Sequence, residues 1–305
     1  MGRSSWALTL SYIEKLKHSA ERTNSIICMG IDPIPEYLPN LHQDTGKKIT
    51  AFFETLFQEM IQKRILPGAF KPNLGFFSCL DRPRENIFTG SGALSEILDM
   101  LDSLFPGIPV ILDYKRGDIA RSSANYAVEG FKSWGCDSVT VSPWMGRDSV
   151  EPFLKEAALH DGGVYILNRT SNPGGREFQN VKSEESGLPM FRIAAEYISS
   201  WAEQYPGTGA VTGATNLREL KEITDFYSNA VIPLLIPGVG SQGGSVQDVI
   251  RTLKESAYDT GIVRINVSSA ITHPWIKKGD KAPEDWKDVC INSLRYFNEA
   301  TVRKT

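Results

Sequence analysis

The feature that most constrains this chain is the alternation of short apolar runs with helical stretches along its length. Eight runs rich in Ile and Val each end in Gly, Pro, Asn, Asp or Ser, as strands do before a turn. They cover residues 25–31, 68–72, 109–114, 138–142, 163–167, 209–211, 232–237 and 261–267. Because these runs are continuously apolar, they predict a parallel sheet whose two faces are both covered by helices.

Eight strand-helix units in 305 residues favour a closed (β/α)8 barrel, also called a TIM barrel, over an open α/β sheet. No Pro-rich or Ser-rich linker interrupts the alternation, so we predict one barrel domain over residues 1–305. An extra N-terminal helix is expected over residues 5–21, before the first strand, and a closing helix is expected to end near Arg303.

Composition excludes several classes of protein. With 41% hydrophobic and 23% charged residues, the chain is typical of a soluble globular protein rather than a disordered or fibrous one. The formal net charge is −3 with both signs mixed, which indicates neither a nucleic-acid nor a membrane partner. Four Cys and four His are scattered without ligand spacing, so no metal site is predicted. The apolar patch at residues 6–10 is too short for a signal peptide or a membrane span, and we expect a cytoplasmic protein.

Charged side chains follow the predicted strands, where barrel enzymes assemble their active sites. Asp113 and Lys115 are two residues apart at the end of the third strand, so they share its inner face. Lys71 and Asn73 end the second strand in the same way, and Asp32 ends the first. Burying unpaired charges costs several kcal/mol. These residues therefore predict a catalytic cluster, with a purely structural ion-pair network as the alternative.

Two of the carboxylates also have simpler explanations. Asp118 lies at the start of a predicted helix, where the helix dipole alone favours an acidic residue. Asp32 precedes Pro33 and is also typical of a turn.

A glycine-rich segment at residues 238–243 matches the GxGxxG pattern and follows an apolar strand. A Rossmann dinucleotide site is one interpretation, but the motif comes too late in the chain for a dinucleotide-binding domain. In a barrel, the loops after the seventh and eighth strands frequently hold a phosphate group on backbone amides, and we favour this interpretation.

The long polar loop at residues 168–176 follows the fifth strand. At a barrel mouth it is a candidate lid or base-reading loop, and a solvated loop is the alternative. Trp144 after the fourth strand is either an aromatic wall of the site or a buried cap on the barrel.

These motifs carry a resemblance to a known family. The segment from Asp113 to Ile119 resembles the DxKxxDI signature of orotidine 5'-monophosphate decarboxylases. Residues 70–73, 141–146, 169–174 and 237–244 resemble, in the same order, blocks of the longer, second group of that family. The resemblance extends over about residues 24–272.

The resemblance implies a homodimeric barrel enzyme of pyrimidine biosynthesis that converts orotidylate to UMP and carbon dioxide without a metal or an organic cofactor. Its charged tetrad would correspond to Lys71, Asp113, Lys115 and Asp118, with Lys115 as the proton donor. Asp118, Ile119 and Ser122 would reach into the site of the partner subunit.

Substrate-binding residues follow from the same resemblance. Asp32 and Asn73 would hold the ribose and neighbouring members of the tetrad, whereas Thr170 and Ser171 would contact the pyrimidine. Gln242 and the backbone of Gly240 would bind the phosphate.

One position departs from the family pattern. Ser269 stands where the family usually has a phosphate-binding arginine. Arg264 lies on the same strand and also points inward by parity, but well below the mouth, so whether it substitutes stays open. A barrel that binds a phosphorylated ligand without catalysis is the remaining alternative.

Overall fold

A computed structural model describes residues 10–240 and 243–301. Within those ranges the chain forms eight parallel strands, which alternate with helices. The strands are β1 (Ile27–Ile31), β2 (Ala69–Pro72), β3 (Ile111–Arg116), β4 (Ser138–Val141), β5 (Gly163–Arg169), β6 (Thr208–Thr212), β7 (Leu234–Ile236) and β8 (Val263–Val267).

The strands form a nearly closed barrel. Their order is β2-β1-β8-β7-β6-β5-β4-β3. Parallel bridges from Phe70 to Val110 and from Asn73 to Asp113 connect the remaining two edges. The predicted (β/α)8 fold is therefore confirmed, and the Rossmann interpretation of the glycine-rich segment is wrong because that segment follows a barrel strand.

Helices surround the barrel. In the described residues they are α1 (Tyr12–Thr23), α2 (Thr45–Lys63), α3 (Leu74–Ser78), α4 (Thr89–Leu104), α5 (Ala120–Val128), α6 (Arg147–Leu159), α7 (Arg176–Gln179), α8 (Met190–Gln204), α9 (Leu217–Tyr227), α10 (Val246–Glu255), α11 (Ser269–Thr272) and α12 (Trp286–Thr301). None of them is long and apolar enough to cross a membrane.

The extra N-terminal helix is present with different bounds. It begins at Tyr12 because Ser11 and Glu14 form a capping box, in which each side chain bonds the backbone N–H of the other. It ends at Thr23, because the next residue, Asn24, has a left-handed backbone (φ 49°) that stops the helix. Residues 5–9 of the predicted helix lie outside the described residues.

The side chain of Arg264 fills the amino-terminal end of the barrel. Its guanidinium is fully buried and donates hydrogen bonds to the carbonyl oxygens of Leu16 (2.6 Å), Gly68 (3.0 Å), Val263 (2.8 Å) and Gly261 (3.2 Å). Arg264 thus ties β8 to α1 at the end opposite the mouth. The idea that it replaces a phosphate-binding arginine is wrong, because its donors are engaged far below the strand ends.

Candidate active site

Three of the predicted charged residues meet at the mouth of the barrel. The two carboxylate oxygens of Asp113 accept from different lysines, Oδ2 from Lys71 Nζ at 2.8 Å and Oδ1 from Lys115 Nζ at 2.5 Å. Lys71 and Asp113 are buried, whereas 47% of the Lys115 side chain is exposed. The cluster therefore presents one accessible ammonium group above a buried ion pair.

The backbone of β3 is distorted where the cluster forms. Its pairing with β4 shifts register between Leu112 and Arg116, and Lys115 adopts a left-handed conformation with φ 45°. A positive φ is uncommon for a residue with a long side chain and typically costs about 1–3 kcal/mol. Surrounding contacts must therefore hold Lys115 in this conformation.

Thr140 on β4 supplies those contacts. Its hydroxyl accepts from the backbone N–H of Tyr114 (3.2 Å) and of Lys115 (3.0 Å), and donates to Asp113 Oδ1 at 2.9 Å. Sequence analysis missed this residue. Its signal was the inward parity of Ser138 and Thr140 on a strand whose other residues are valines.

Burial and charge act in opposite directions on the buried pair. Burial favours the neutral form of Asp113, but the ammonium groups of Lys71 and Lys115 outweigh burial and hold the pKa of Asp113 well below its usual range. Burial also favours the neutral form of Lys71 and so lowers its pKa. The carboxylates of Asp113 and Asp32 outweigh this effect and raise the pKa of Lys71 above its usual range. Both groups are therefore charged at neutral pH.

Asp32 and Asn73 flank this pair. The Oδ1 atom of Asp32 is buried without a hydrogen-bond partner among the described residues. Burial raises the pKa of Asp32, opposed by Lys71 and by a hydrogen bond from Ser268. The side-chain oxygen of Asn73 accepts from Gly75 N at 3.1 Å and thereby caps α3.

Two further buried oxygens lack partners within the described ranges. They are Oγ1 of Thr212, at the end of β6, and Oδ1 of Asn266, near the end of β8. Buried polar atoms are almost always hydrogen-bonded in folded proteins, to protein, water or ligand. Together with Asp32 Oδ1, these atoms are hydrogen-bonding groups at the carboxyl ends of the strands that remain available to a ligand or water.

The fourth member of the predicted tetrad stands apart from the others. Asp118 forms no ion pair with Lys71 or Lys115 in the part of the chain that the structure describes, and its Oδ1 accepts from the backbone N–H of Ile119 at 2.7 Å. The side chain of Ile119 is 61% exposed, and Ser122 is half-buried in the first turn of α5.

Hydrogen bonds of side chains order the loop after β5, although residues 172–174 and 176 are exposed to solvent. Gln179 on α7 accepts from Thr170 N at 2.9 Å and from Arg169 Nη1 at 3.0 Å, and Arg169 also pairs with Glu219 at 2.7 Å. Ser171 packs so closely on Gly213 that a Cβ there would lie 2.7 Å from the Ser171 Cα. Neither α7 nor the role of Gln179 was predicted.

Trp144 is not the buried cap that one alternative suggested. It is 71% exposed and contacts Phe178 edge-on, with ring centroids 5.7 Å apart. Both rings border an apolar cavity of about 850 Å³ beside α8, and Met190 and Tyr197 of α8 also line this cavity. Neither the charged cluster nor any predicted substrate-binding residue among the described residues lines this cavity, so it is separate from the charged cluster.

The glycine-rich loop lies at the mouth, after β7. Gly238 and Gly240 have φ values of 97° and 84°, which favour glycine. The N–H of Gly240 donates to Gly244 O at 3.1 Å, so it is already used within the loop. Ser269 opens α11 directly after β8. Gln242 lies outside the described residues.

Comparisons with known proteins identify the family of this chain. The sequence model of the "Orotidine 5'-phosphate decarboxylase / HUMPS family" matches residues 83–274. A protein of Ralstonia pickettii named orotidine 5'-phosphate decarboxylase is 36% identical over 264 residues, covering 87% of this chain and 90% of that protein.

Two solved structures are similar over nearly the whole chain. One is a Toxoplasma gondii protein described as a putative orotidine-monophosphate decarboxylase, with 26% identity, a TM-score of 0.74 and coverage of 95% of this chain and 96% of that one. The other is Leishmania donovani UMP synthase, with 27% identity and a TM-score of 0.71; the similarity covers 96% of this chain and 57% of that one. The chain therefore belongs to the orotidine 5'-phosphate decarboxylase / HUMPS family.

Proposed function

We propose that this protein is an orotidine 5'-phosphate decarboxylase, which converts orotidylate to UMP and carbon dioxide. The observation that carries the proposal is the Lys71–Asp113–Lys115 cluster at the carboxyl ends of the barrel strands. It occurs in a chain whose relatives bear the name of that activity. Location in the cytoplasm is part of the proposal and is supported by four free cysteines, three of them buried.

Lys115 is the proposed proton donor. When the bond from C6 to the carboxylate carbon breaks, the electron pair stays on C6 and carbon dioxide leaves. A cation held in advance near C6 stabilises that charge, because no reorganisation is needed at the moment of reaction. The ammonium of Lys115 is the accessible cation of the cluster, and it transfers one proton to C6 to complete UMP.

Asp113 and Lys71 set the charge around Lys115. Asp113 remains ionised between two ammonium groups and keeps Lys115 oriented through its Oδ1. In the proposed complex the substrate carboxylate would lie beside Asp113, so that like-charge repulsion decreases as carbon dioxide leaves. Lys71 neutralises the other carboxylate oxygen and fixes Asp113 in the barrel.

The proposed reaction uses no metal and no organic cofactor. In the described part of the chain, no group of three or more His, Cys, Asp or Glu side chains is arranged to hold a metal ion. Activity should survive treatment with EDTA, and recovery of lost activity on adding Mg²⁺ or Zn²⁺ would contradict a cofactor-free mechanism.

The remaining predicted residues would bind the substrate. Asp32 and Asn73 would contact the ribose, which is supported by the unpartnered Oδ1 of Asp32. Thr170 and Ser171 would contact the pyrimidine from the ordered loop after β5. The loop that contains Gly240 and Gln242, together with Ser269, would receive the phosphate.

We also propose a homodimer in which Asp118, Ile119 and Ser122 complete the partner's site. Two observations support it: Asp118 pairs with no lysine of its own cluster in the described residues, and Ile119 is exposed. Mixing Lys115→Ala with Asp118→Ala chains should restore activity, because each heterodimer would contain one intact site. Inactive heterodimers, verified by mass spectrometry, would place Asp118 in its own chain's site, whereas an Asp118→Ala homodimer that is active by itself would make Asp118 only a helix-start residue.

One assay separates this enzyme from a barrel that only binds a phosphorylated ligand. Orotidylate labelled at the carboxylate should release labelled carbon dioxide together with an equal amount of UMP. Tight binding of UMP without any release of carbon dioxide would favour the non-catalytic alternative, in which the charged cluster is structural.

A further inference from the structure

A phosphate at the mouth would meet the loops after β7 and β8. Barrels frequently bind phosphate between these two loops. Here the two loops are in contact, because a Cβ on Gly240 would lie 3.0 Å from the Cβ of Ala270. Positive φ values at Gly238, Gly240 and Gly243 leave the first loop without side chains at its turns, so a ligand can approach its backbone closely.

This region lacks the arginine that would ordinarily face a phosphate. Ser269 offers only a hydroxyl group at the start of α11. The guanidinium of Arg264 donates to four backbone carbonyl groups at the opposite end of the barrel. Arg169 is buried and paired with Glu219. A dianionic phosphate therefore requires a cation from another element.

Lys277 reaches the glycine-rich loop from the segment after α11. Its Nζ donates to the carbonyl oxygen of Gly240 at 3.2 Å, and its side chain is otherwise exposed. No carboxylate of the described residues forms an ion pair with it. An ammonium group has three donors, so two remain for a ligand placed above the loop.

The backbone that carries Lys277 is well anchored. The short helical segment Pro274–Lys278 contains Trp275, which is buried and donates its indole N–H to Tyr37 O at 2.9 Å. Upstream, the N–H of His273 donates to Ser269 O at 2.8 Å. These contacts hold the backbone of Lys277 in place beside the glycine-rich loop.

We propose that Lys277 is a phosphate-binding residue, which supplies the cation that Ser269 does not. The inference rests on the proposed function, since it takes the 5'-phosphate of orotidylate and UMP as its ligand. It makes Lys277 a specificity residue that favours nucleotides over nucleosides. Because Nζ already bonds the carbonyl of Gly240, the same cation would connect the phosphate to this residue of the loop.

The test compares UMP with uridine. Lys277→Ala should weaken UMP binding by about tenfold or more, which is the general scale for one hydrogen bond between charged groups. Binding of uridine, which has no phosphate, should change less than about twofold. In titration calorimetry, the ratio of the two affinities therefore reports contact with the phosphate alone.

Lys278→Ala is the matched control. It removes the same charge from the neighbouring residue, whose side chain is also exposed. It should leave the UMP affinity within about twofold of the wild type. Ser269→Arg in the Lys277→Ala background should restore UMP binding, since a guanidinium at the start of α11 would replace the missing cation.

Two patterns of affinity loss would overturn the assignment of Lys277. One is an equal loss of UMP and uridine affinity in Lys277→Ala; the other is an equal loss of UMP affinity in Lys277→Ala and Lys278→Ala. Failure of the proposed function appears differently, as a wild-type protein that neither binds UMP nor decarboxylates orotidylate. An active wild type with unchanged nucleotide binding in Lys277→Ala contradicts only this inference.

Discussion

Both ends of the barrel bury positive charge, but the groups that accept hydrogen bonds from it differ. At the amino-terminal end, Arg264 donates to four backbone carbonyls and is closed off by α1. At the mouth, Lys71 and Lys115 share one carboxylate, and buried oxygens of Asp32, Thr212 and Asn266 have no partner in the described chain. Hydrogen bonding is satisfied where the barrel needs only stability, and it is left incomplete where a substrate is expected.

The largest expected effect is at the mouth. Lys115→Ala should lower kcat by about 100-fold or more, because removal of one preorganised electrostatic contact typically costs that much. The unfolding temperature should hardly change, since almost half of this side chain is exposed. Lys155→Ala, which breaks an exposed ion pair on α6, is the control and should remain fully active. A loss of less than about tenfold would contradict the role of Lys115.

Arg264→Met should have the opposite profile. It removes one donor from each of four backbone carbonyls, of which Gly68 O keeps a second donor in the Ser19 hydroxyl, and we expect the free energy of unfolding to fall by about 3 kcal/mol. Urea denaturation measures this loss. Turnover per folded molecule should be unchanged, because the residue lies at the other end of the barrel. A fall in kcat with unchanged stability would show that the two ends are coupled.

The two ends should also differ in acid. Asp113 has its pKa depressed in the folded protein, so its stabilising contribution is present above the unfolded value, near 4, and is lost as pH falls through the folded value. The stability difference between wild type and Asp113→Asn, about 2 kcal/mol at pH 7, should therefore shrink below about pH 4. The difference for Arg264→Met should stay constant there, because an arginine does not titrate in acid. Parallel pH profiles for both variants would refute this contrast.

Thr140 tests how finely the mouth is positioned. Thr140→Val removes the hydroxyl that holds Asp113 and the backbone of Lys115, and it should lower kcat by about tenfold with little effect on KM. Thr140→Ser keeps the hydroxyl and should retain activity within about twofold. A larger loss in Thr140→Ser than in Thr140→Val would mean that packing of the methyl group, rather than the hydrogen bonds, is what matters.

Much of this architecture was accessible from the sequence because it depends on strand periodicity. Inward parity brought Asp113 and Lys115 to one face of β3 and Lys71 to the neighbouring strand, and the structure joins all three. Parity does not report depth along a strand, however. For that reason it identified Arg264 as inward-facing without showing that its side chain runs to the opposite end.

Other features depend on contacts between distant segments and could not be predicted. The left-handed backbone of Lys115 follows from a register shift against β4, which no local pattern in β3 encodes. Helix α7 and the bonds of Gln179 arise inside a loop that reads only as polar and rich in turn residues. The role of Asp118 needs a second chain and stays a prediction.

The bond between Arg264 and Leu16 also bears on how the molecule reaches its folded state. It joins residues 248 positions apart, so the first helix cannot complete its hydrogen bonding until the last strand has been synthesised. Contacts of such long sequence separation slow folding, because loop-closure entropy is lost before the contact forms. During synthesis on the ribosome, the contact between Arg264 and α1 therefore forms only after β8, and closure of the barrel floor becomes a late step of folding.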